Sequence, residues 1–313
     1  MRAVLVVNPR ATSTSAAGRD VLARALSSVV ALELVETDYR GHATAAAAQA
    51  RIDGADLVVA HGGDGTVNEV VNGLLTAGTS GKVPMLGVVP GGSANVFARA
   101  LGLPRDPIEA AHQLVLAIVD NRSRRVGLGH VGSASGDTVH DGRWFTFNAG
   151  VGWDADVVAG VDRRRGKRAS TALYARVALL EYLRPAHDGP DLTVELPGEA
   201  PVGGLKLAFV SNADPWTYLG DRPIHLNPEC TFDNGLGLFA LRTLRVPTVL
   251  RHLRQALSTR ARLRGGQLIR RDDVPHVRVT TRRPVRLQCD GDLIGERTRV
   301  DFQAVPDALS VAL

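Results

Sequence analysis

A chain of 313 residues that is 44% apolar can bury two cores, and its only cysteines, Cys230 and Cys289, lie outside any CxxC or Cys/His spacing, which sets aside disulfide frameworks and structural zinc folds. Its net charge of +5 comes almost wholly from arginine, and its 4% of aromatics is too few for a platform that stacks single-stranded nucleic acid, so no nucleic-acid partner is expected. MRAVLVVNPR meets polar residues too soon for a secretory core and no later apolar run reaches the length of a membrane span, so a cytoplasmic protein is expected, peripheral to the membrane at most.

From the N-terminus, short apolar runs alternate with helical patterns. AVLVV (3–7) precedes AAGRDVLARALSSV, LELVE (32–36) precedes HATAAAAQARI, DLVVA (56–60) precedes a periodic segment from Thr66, and MLGVV (85–89) precedes SANVFARALGL and IEAAHQLVLAIV. Continuous β-branched runs separated by helices predict an α/β domain over 1–126, a doubly wound, mostly parallel sheet. After Val126 the glycine and serine stretch GLGHVGSASGDTVHDG (127–142) reads as an exposed loop. The short alternating runs WFTFNAGVG, DLTVELPG, GLKLAFVSN, GLGLFALR, HVRVTT and VRLQCDGD then predict a larger antiparallel, β-sandwich-like domain over 127–299. Two helices are expected within it, STALYARVALLEYL (170–183) and TVLRHLRQALS (248–258).

The chemistry concentrates at HGGDGTVNEVVNG (61–73). Thr66 and Glu69 have the spacing of a capping box, and Val67, Val70, Val71, Leu74 and Leu75 recur at helical intervals, so a helix is expected from about Thr66. Its unsatisfied N–H groups point back at Gly62, Gly63 and Gly65, where the lack of side chains lets an anion reach the backbone. Asp64 in such a phosphate cradle would repel phosphate unless a cation stood between, which suggests Mg²⁺; the competing reading is a tight turn with a solvated aspartate. A second unit follows, strand MLGVV, turn Gly91-Gly92-Ser93, and a helix with Ser93 as N-cap. Turns after successive parallel strands emerge at one carboxyl edge, and two glycine-rich turns there suit a polyphosphate.

Other phosphate and acyl-transfer motifs fail on spacing. The first strand leads into NPRATSTSAAG, without GxGxxG; GVDRRRGKRAS (160–170) departs from a Walker A loop in its glycine spacing and in the arginine after its lysine; and HGG is unaccompanied by GxSxG.

GGDGTVNEVVNG, with PGGSAN and FARALGLP (97–104) after it, resembles the diacylglycerol kinase family of bacterial lipid kinases, whose first domain is related to that of NAD kinases. Asn8-Pro9, Thr37, FNAGVGWDADV (147–157), DNGL (233–236) and CDGD (289–292) extend the likeness over nearly the whole chain. It implies an ATP-binding first domain to which the C-terminal segment, 300–313, returns, and a β-rich second domain that holds a lipid alcohol. ATP would lie on Asn8, Pro9, Arg10, Thr37, Gly62, Gly63, Asp64, Gly65, Thr66, Asn68, Glu69, Gly91, Gly92, Ser93 and Asn95. The second acidic residue of a DGE-type motif, here Asp292, would accept the hydroxyl proton, and a structural Mg²⁺ would map onto Thr231, Asp233, Asn234 and the Leu236 carbonyl. Three departures matter. DGE has become Asp290-Gly291-Asp292, leaving the choice of base open between the two aspartates; DDG has become Asp233-Asn234-Gly235, one charge fewer at the metal; and GTxND has become Gly92-Ser93-Ala94-Asn95-Val96.

By this resemblance the protein transfers the γ-phosphoryl group of ATP to diacylglycerol, with other lipid alcohols (sphingoid bases, ceramide, phosphatidylglycerol), NAD, or no acceptor at all in an inactive lipid-binding protein as the alternatives. Asp-Gly in CDGD is equally a hairpin-turn signal. The basic runs DRRRGKR (162–168) and RHLRQALSTRARLRG (251–265) gain a role if the acceptor must be drawn from an anionic membrane: Leu250, Leu253, Leu257 and Ala261 would line one side of a helix, with Arg251, Arg254 and Arg262 around it. A helix packed on its own domain fits the same pattern, and homodimerisation is left open.

Overall fold

The computed structural model describes residues 1–152, 191–258 and 263–313. The expected helix at 170–183, the basic run at 162–168 and the positions Ala261 and Arg262 lie outside these residues. The chain divides into two compact units, one of residues 1–127 with 307–313, the other of residues 128–306.

The first unit is α/β. Its parallel strands are β1 (Arg2–Val7), β2 (Ala31–Glu36), β3 (Leu57–Gly62) and β4 (Met85–Pro90), in the order β4-β3-β1-β2, and Val311 near the C-terminus pairs in parallel with Leu86 of β4. Helices α1 (Ala16–Ser27) and α5 (Pro107–Val119) set Leu22, Leu26, Leu114 and Ile118 against Ala3, Leu5, Val7, Leu57 and Val59, the alternate residues that a strand period of two turns to one face. Ser15 caps α1 by accepting from Gly18 N, and Asp106 caps α5 by accepting from Ile108 N and Glu109 N, with Pro107 just inside. Helices α2 (His42–Ile52) and α3 (Asp64–Leu74) pack closely on each other because both present small residues: a Cβ at Gly73 would stand 2.3 Å from the Thr44 carbonyl and 2.7 Å from Ala47 Cβ. The short α4 (Val96–Ala100) follows β4. Strand order reverses between β1 and β3, so the crevice outside their carboxyl ends is where such a sheet receives a ligand.

The second unit is mostly β, and its pairings are antiparallel. It comprises β5 (Ser123–Ser135, entering from the first unit), β6 (Thr138–Phe145), β7 (Asn148–Gly152), β8 (Leu192–Glu195), β9 (Val202–Leu205), β10 (Leu207–Ser211), β11 (Thr217–Leu219), β12 (Arg222–Ile224), β13 (Leu236–Leu241), β14 (Leu268–Val274), β15 (His276–Cys289) and β16 (Asp292–Ala312, whose last residues belong to the first unit). The order is β14-β13-β10-β7-β15-β16, with β5 pairing β16 and β6, and β8 pairing β15 and β9. β10 and β13 are buried on both faces. Ala208, Val210, Leu236, Leu238 and Ala240 enter the main core, while Phe209, Phe239 and Leu241 pack under helix α6 (Val246–Ala256) through Ala256.

Two local expectations are corrected. The stretch 127–142 is a hairpin and not a loop: β5 runs to Ser135, Gly136 takes φ +57 at the turn, and β6 returns. Its glycines and serines mask the period because Val131 and Ala134 are buried while their neighbours face outward or admit close packing. HVRVTT and VRLQC form one strand, β15, whose pairing with β16 shifts register between Thr280 and Val285 and again between Leu287 and Gln288.

Candidate active site

The glycine turn after β3 is built more tightly than its sequence required. Gly63 is the N-cap of α3, and the helix begins at Asp64, two residues before the expected start, so Thr66 and Glu69 do not form a capping box. Thr66 instead lies inside the first turn with its Oγ1 accepting from Asn8 Nδ2 at 3.1 Å, and Glu69 turns to a different helix. Its two carboxylate oxygens accept Gly41 N at 3.0 Å and Ala43 N at 3.2 Å, closing the N-terminus of α2, where no side chain of α2's own caps. Asn68 is 1% exposed and takes part in an Asn72 side-chain contact.

The second glycine turn rests backbone to backbone on the first. Gly91 N donates to Gly62 O at 2.7 Å, and a Cβ on Gly92 would come within 2.6 Å of Gly63 Cα. Ser93 is exposed and is not the N-cap of α4; Asn95 holds that position at φ +48, and its side-chain amide bonds back to the turn and not to the helix, accepting from Gly92 N at 2.9 Å and donating to Gly92 O at 2.8 Å. Asparagine suits the position because it tolerates the left-handed conformation and bonds its own turn. Asp64 Oδ1 accepts from Phe97 N at 3.2 Å, so this carboxylate faces the second turn and its short helix.

Around the pair, the same sheet edge gathers the remaining first-unit candidates. Asn8 ends β1, with its Oδ1 accepting from Arg10 N at 2.9 Å and its own N–H donating to His61 O; Pro9 and Arg10 are exposed. Thr37 ends β2, its N–H on Val7 O at 2.8 Å. The strands ending at Thr37, Asn8, Gly62 and Pro90 are consecutive neighbours, so all four turns share one edge. Gly65 differs from the packed glycines: it is exposed, and no heavy atom lies within 4 Å of where its Cβ would be. A row of backbone N–H groups with one side left open, at a helix N-terminus, is a cradle for an oxyanion of phosphate size.

In the second unit, Asp290 and Gly291 form the two-residue turn between β15 and β16, at φ +48 and +80, with Cys289 paired to Asp292 across it. This is the primed hairpin geometry that Asp-Gly favours. The two aspartates have opposite surroundings. Asp290, 5% exposed, accepts Thr146 N at 2.6 Å, Thr146 Oγ1 at 2.7 Å, Phe147 N at 3.0 Å and Asn148 N at 3.1 Å, which fixes the corner between β6 and β7. Burial raises its carboxyl above the ordinary range, and those four donors pull against the rise. Asp292, with its side chain 18% exposed, meets Arg143 Nη2 at 3.2 Å through Oδ2.

The turn proposed for a structural cation does not fit one well. Thr231 Oγ1 accepts from Asp233 N, Asn234 Nδ2 donates to Glu229 O, and Asp233 is the one carboxylate of the set; Leu236 is buried in β13. Among the described residues no cluster of three or more His, Cys, Asp or Glu side chains is arranged to hold a metal ion.

The family model for the diacylglycerol kinase catalytic domain matches residues 2–131, and a diacylglycerol kinase of Bacillus subtilis (strain 168) is 30% identical over 262 residues, 83% of this chain and 78% of that one. The chain belongs to the diacylglycerol kinase family. Among solved structures, a diacylglycerol kinase from Bacillus anthracis str. Sterne aligns with 99% of this chain and 96% of its own at TM-score 0.71 and 18% identity. An NAD kinase from Archaeoglobus fulgidus in complex with ATP aligns with 100% and 94% at TM-score 0.52 and 12% identity. At those identities the two solved structures speak for the fold alone, which is that of the diacylglycerol kinases with NAD kinases as more distant relatives.

Three features, one in the second unit and two in the first, lie outside the family motifs and outside any sequence expectation. Arg143 faces Asp292 from β6, a partnership between residues 149 positions apart. Thr14 Oγ1 is buried beside Gly91 with no hydrogen-bond partner among the described residues. Tyr39, 63% exposed, stacks on His42 at 4.7 Å just past Thr37. The alternating Ser and Thr of NPRATSTS was the one available signal for Thr14; long-range pairing left none for Arg143.

Proposed function

We propose that this member of the family is an ATP-dependent lipid kinase that moves the γ-phosphoryl group of ATP to the hydroxyl of diacylglycerol, giving phosphatidic acid. The open cradle at Gly65, between two glycine turns in backbone contact, carries the proposal: it is where the triphosphate would sit, with Asn8, Thr66 and Asn95 bracing the turns and Thr37 farther along the same sheet edge. Asp64 would hold Mg²⁺ there, and the ion would neutralise charge on the transferring phosphoryl group.

Asp292 is the better candidate for the base than Asp290. Asp290 is enclosed by four donors that secure a corner, whereas Asp292 is reachable and has a cation to hold it in line. In the step proposed, the acceptor oxygen forms a bond to γ-phosphorus and gives its proton to the Asp292 carboxylate. The bond from γ-phosphorus to the bridging oxygen breaks, and ADP leaves with that electron pair.

A membrane surface is the natural source of the acceptor. Residues 242–271 contain nine arginines and no Asp or Glu, so the rest of the chain is net acidic. Within that stretch α6 exposes Val246, Leu250 and Leu253 at 50, 58 and 43% and buries His252 and Ala256, with Arg245, Arg251 and Arg254 exposed around the apolar row. Apolar residues ringed by arginine suit the surface of an anionic bilayer; no helix among the described residues is long and apolar enough to cross one. Leu257, expected on the same outward row, is half-buried against the core beneath the helix.

Incubation with labelled ATP, Mg²⁺ and a panel of lipid alcohols tests the whole. Label in the organic phase on diacylglycerol supports the proposal; label on another lipid, on NAD, or on neither names the alternative.

A further inference from the structure

The face of the second unit that bears Asp292 carries a second arginine for which the phosphoryl transfer above has no task. Residues directly opposed in an antiparallel pair project to the same side of the sheet. Cys289 opposes Asp292 and Val285 opposes Arg297, and both Cys289 and Val285 belong to the apolar core. Arg143 reaches that side by the same rule, since it opposes Val131, another core residue. Cys289 registers this company. Burial is what chiefly drives its thiol up; Asp290 and Asp292 add to the rise, and Arg143 and Arg297 oppose it.

Arg297 is 8% exposed. Its Nε donates to Ser133 Oγ at 2.9 Å and its Nη1 to the Glu296 carbonyl at 2.8 Å, both neutral acceptors, and no carboxylate among the described residues pairs with it. Burial lowers its guanidinium below the ordinary arginine value. Gly295 leaves room for it: at φ +126, a Cβ there would stand 3.0 Å from Arg297 Nη1. Proteins seldom bury a full charge without a counter-charge, because desolvation is then uncompensated. An arginine so placed is suited to an oxyanion that arrives with a ligand, which its planar fork can grip through two N–H groups.

We propose that Arg297 is an anion subsite of the lipid site, receiving a phosphate group carried by the lipid while Asp292, held by Arg143, faces the hydroxyl. The assignment rests on Asp292 being the base. Two sources supply the same chemistry: the headgroup phosphate of an anionic acceptor, or the phosphate newly placed on the product.

The test uses the full-length protein with Arg297→Gln and Arg297→Lys. Calorimetric titration with water-soluble dihexanoyl phosphatidic acid and dihexanoyl phosphatidylglycerol needs no turnover. Wild type should bind at least one of them, Arg297→Gln should weaken that binding tenfold or more, and Arg297→Lys should recover part of the loss. Micellar kinetics then separate the sources. A headgroup site raises the ratio of KM for phosphatidylglycerol to KM for diacylglycerol about tenfold in Arg297→Gln, whereas a product site raises the inhibition constant for phosphatidic acid by a similar factor. The subsite is refuted if wild type binds neither lipid, or if Arg297→Gln binds both with wild-type affinity. Wild type that binds phosphatidic acid through Arg297 yet phosphorylates no lipid would retain the subsite and overturn the kinase.

Discussion

Gly65→Ala should separate nucleotide binding from folding in opposite directions. Gly65 sits in the first turn of α3, exposed, with nothing within 4 Å of where a methyl group would stand and without the positive φ that would strain an L residue. Alanine replaces glycine in a helix with a gain of roughly 0.5–1 kcal/mol, which corresponds to about 1–4 °C in Tm for a unit of this size. The same methyl group stands where phosphate oxygens would approach the backbone. A carbon keeps an oxygen near 3.5 Å where an N–H admits it to about 2.9 Å, so one charge-assisted hydrogen bond is lost or stretched. Such a bond contributes about 1.5–3 kcal/mol, so affinity for Mg-ATP should fall roughly 10–100-fold. Isothermal titration with Mg-ATP and a thermal melt on the same preparation give both quantities. Gly92→Ala is the contrast: its methyl would lie 2.6 Å from Gly63 Cα, so overpacking should destabilise the fold by about 1–3 kcal/mol. A Gly65→Ala protein that melts higher and binds ATP as wild type does would mean the phosphates lie elsewhere. One that unfolds would mean the glycine is needed for packing.

The two aspartates of the hairpin should divide stability from turnover. Asp290→Asn sets an amide against three backbone N–H groups and a hydroxyl, and urea denaturation should show a loss of about 3–5 kcal/mol. Asp292→Asn breaks a partly exposed ion pair, should change stability by under about 1 kcal/mol, and should lower kcat roughly 10²–10⁴-fold with little change in KM for ATP. Glu69→Gln weakens the cap on α2, and a loss of about 1 kcal/mol is expected in the same denaturation measurement. His61 is 2% exposed, and burial outweighs its Val89 carbonyl contact to hold its imidazole below the ordinary value. An unfolded histidine then binds a proton that the folded one refuses, so stability is full above about pH 6.5 and falls as pH drops, by up to about 1.4 kcal/mol per unit. His61→Met should flatten that part of a stability-against-pH curve by one proton.

Much of the first unit was legible because its signals are local. A buried parallel strand is a continuous apolar run, and β1, β3 and β4 were visible as such, while β2, at the edge of the sheet with two glutamates in ALELVE, was visible from its place between two helical patterns. Expectation failed where one local pattern has two physical uses. Thr66 and Glu69 have capping-box spacing, yet Glu69 was more valuable to a neighbouring helix with a bare glycine at its N-cap, a partner 26 to 28 residues away that spacing cannot reveal. Ser93 is a good N-cap by type, but Asn95 tolerates φ +48 and serine does not do so readily, so the helix starts later. Gly-Ser strands such as 127–135 carry little side-chain alternation, and only long-range pairing makes them strands.

CDGD shows most clearly why sequence left the choice of base open. The motif is a primed hairpin turn, and that turn leaves a reachable carboxylate at the start of β16. The turn requires two consecutive left-handed residues, which Asp290 and Gly291 supply, so Asp290 is committed by backbone geometry before any chemistry is considered. Its side chain is then directed into the corner at 146–148, where four donors hold it. Asp292 is the first residue past the turn and escapes that constraint, and the ladder turns it to the side where Arg143 waits. A general base must be both reachable and held in line, and here the geometry of one tight turn gives those properties to the second aspartate by using up the first. Shortening the family's glutamate to aspartate at 292 therefore alters reach alone: Asp292→Glu should fold as wild type does and retain measurable turnover, whereas Asp290→Glu should not fold to wild-type stability.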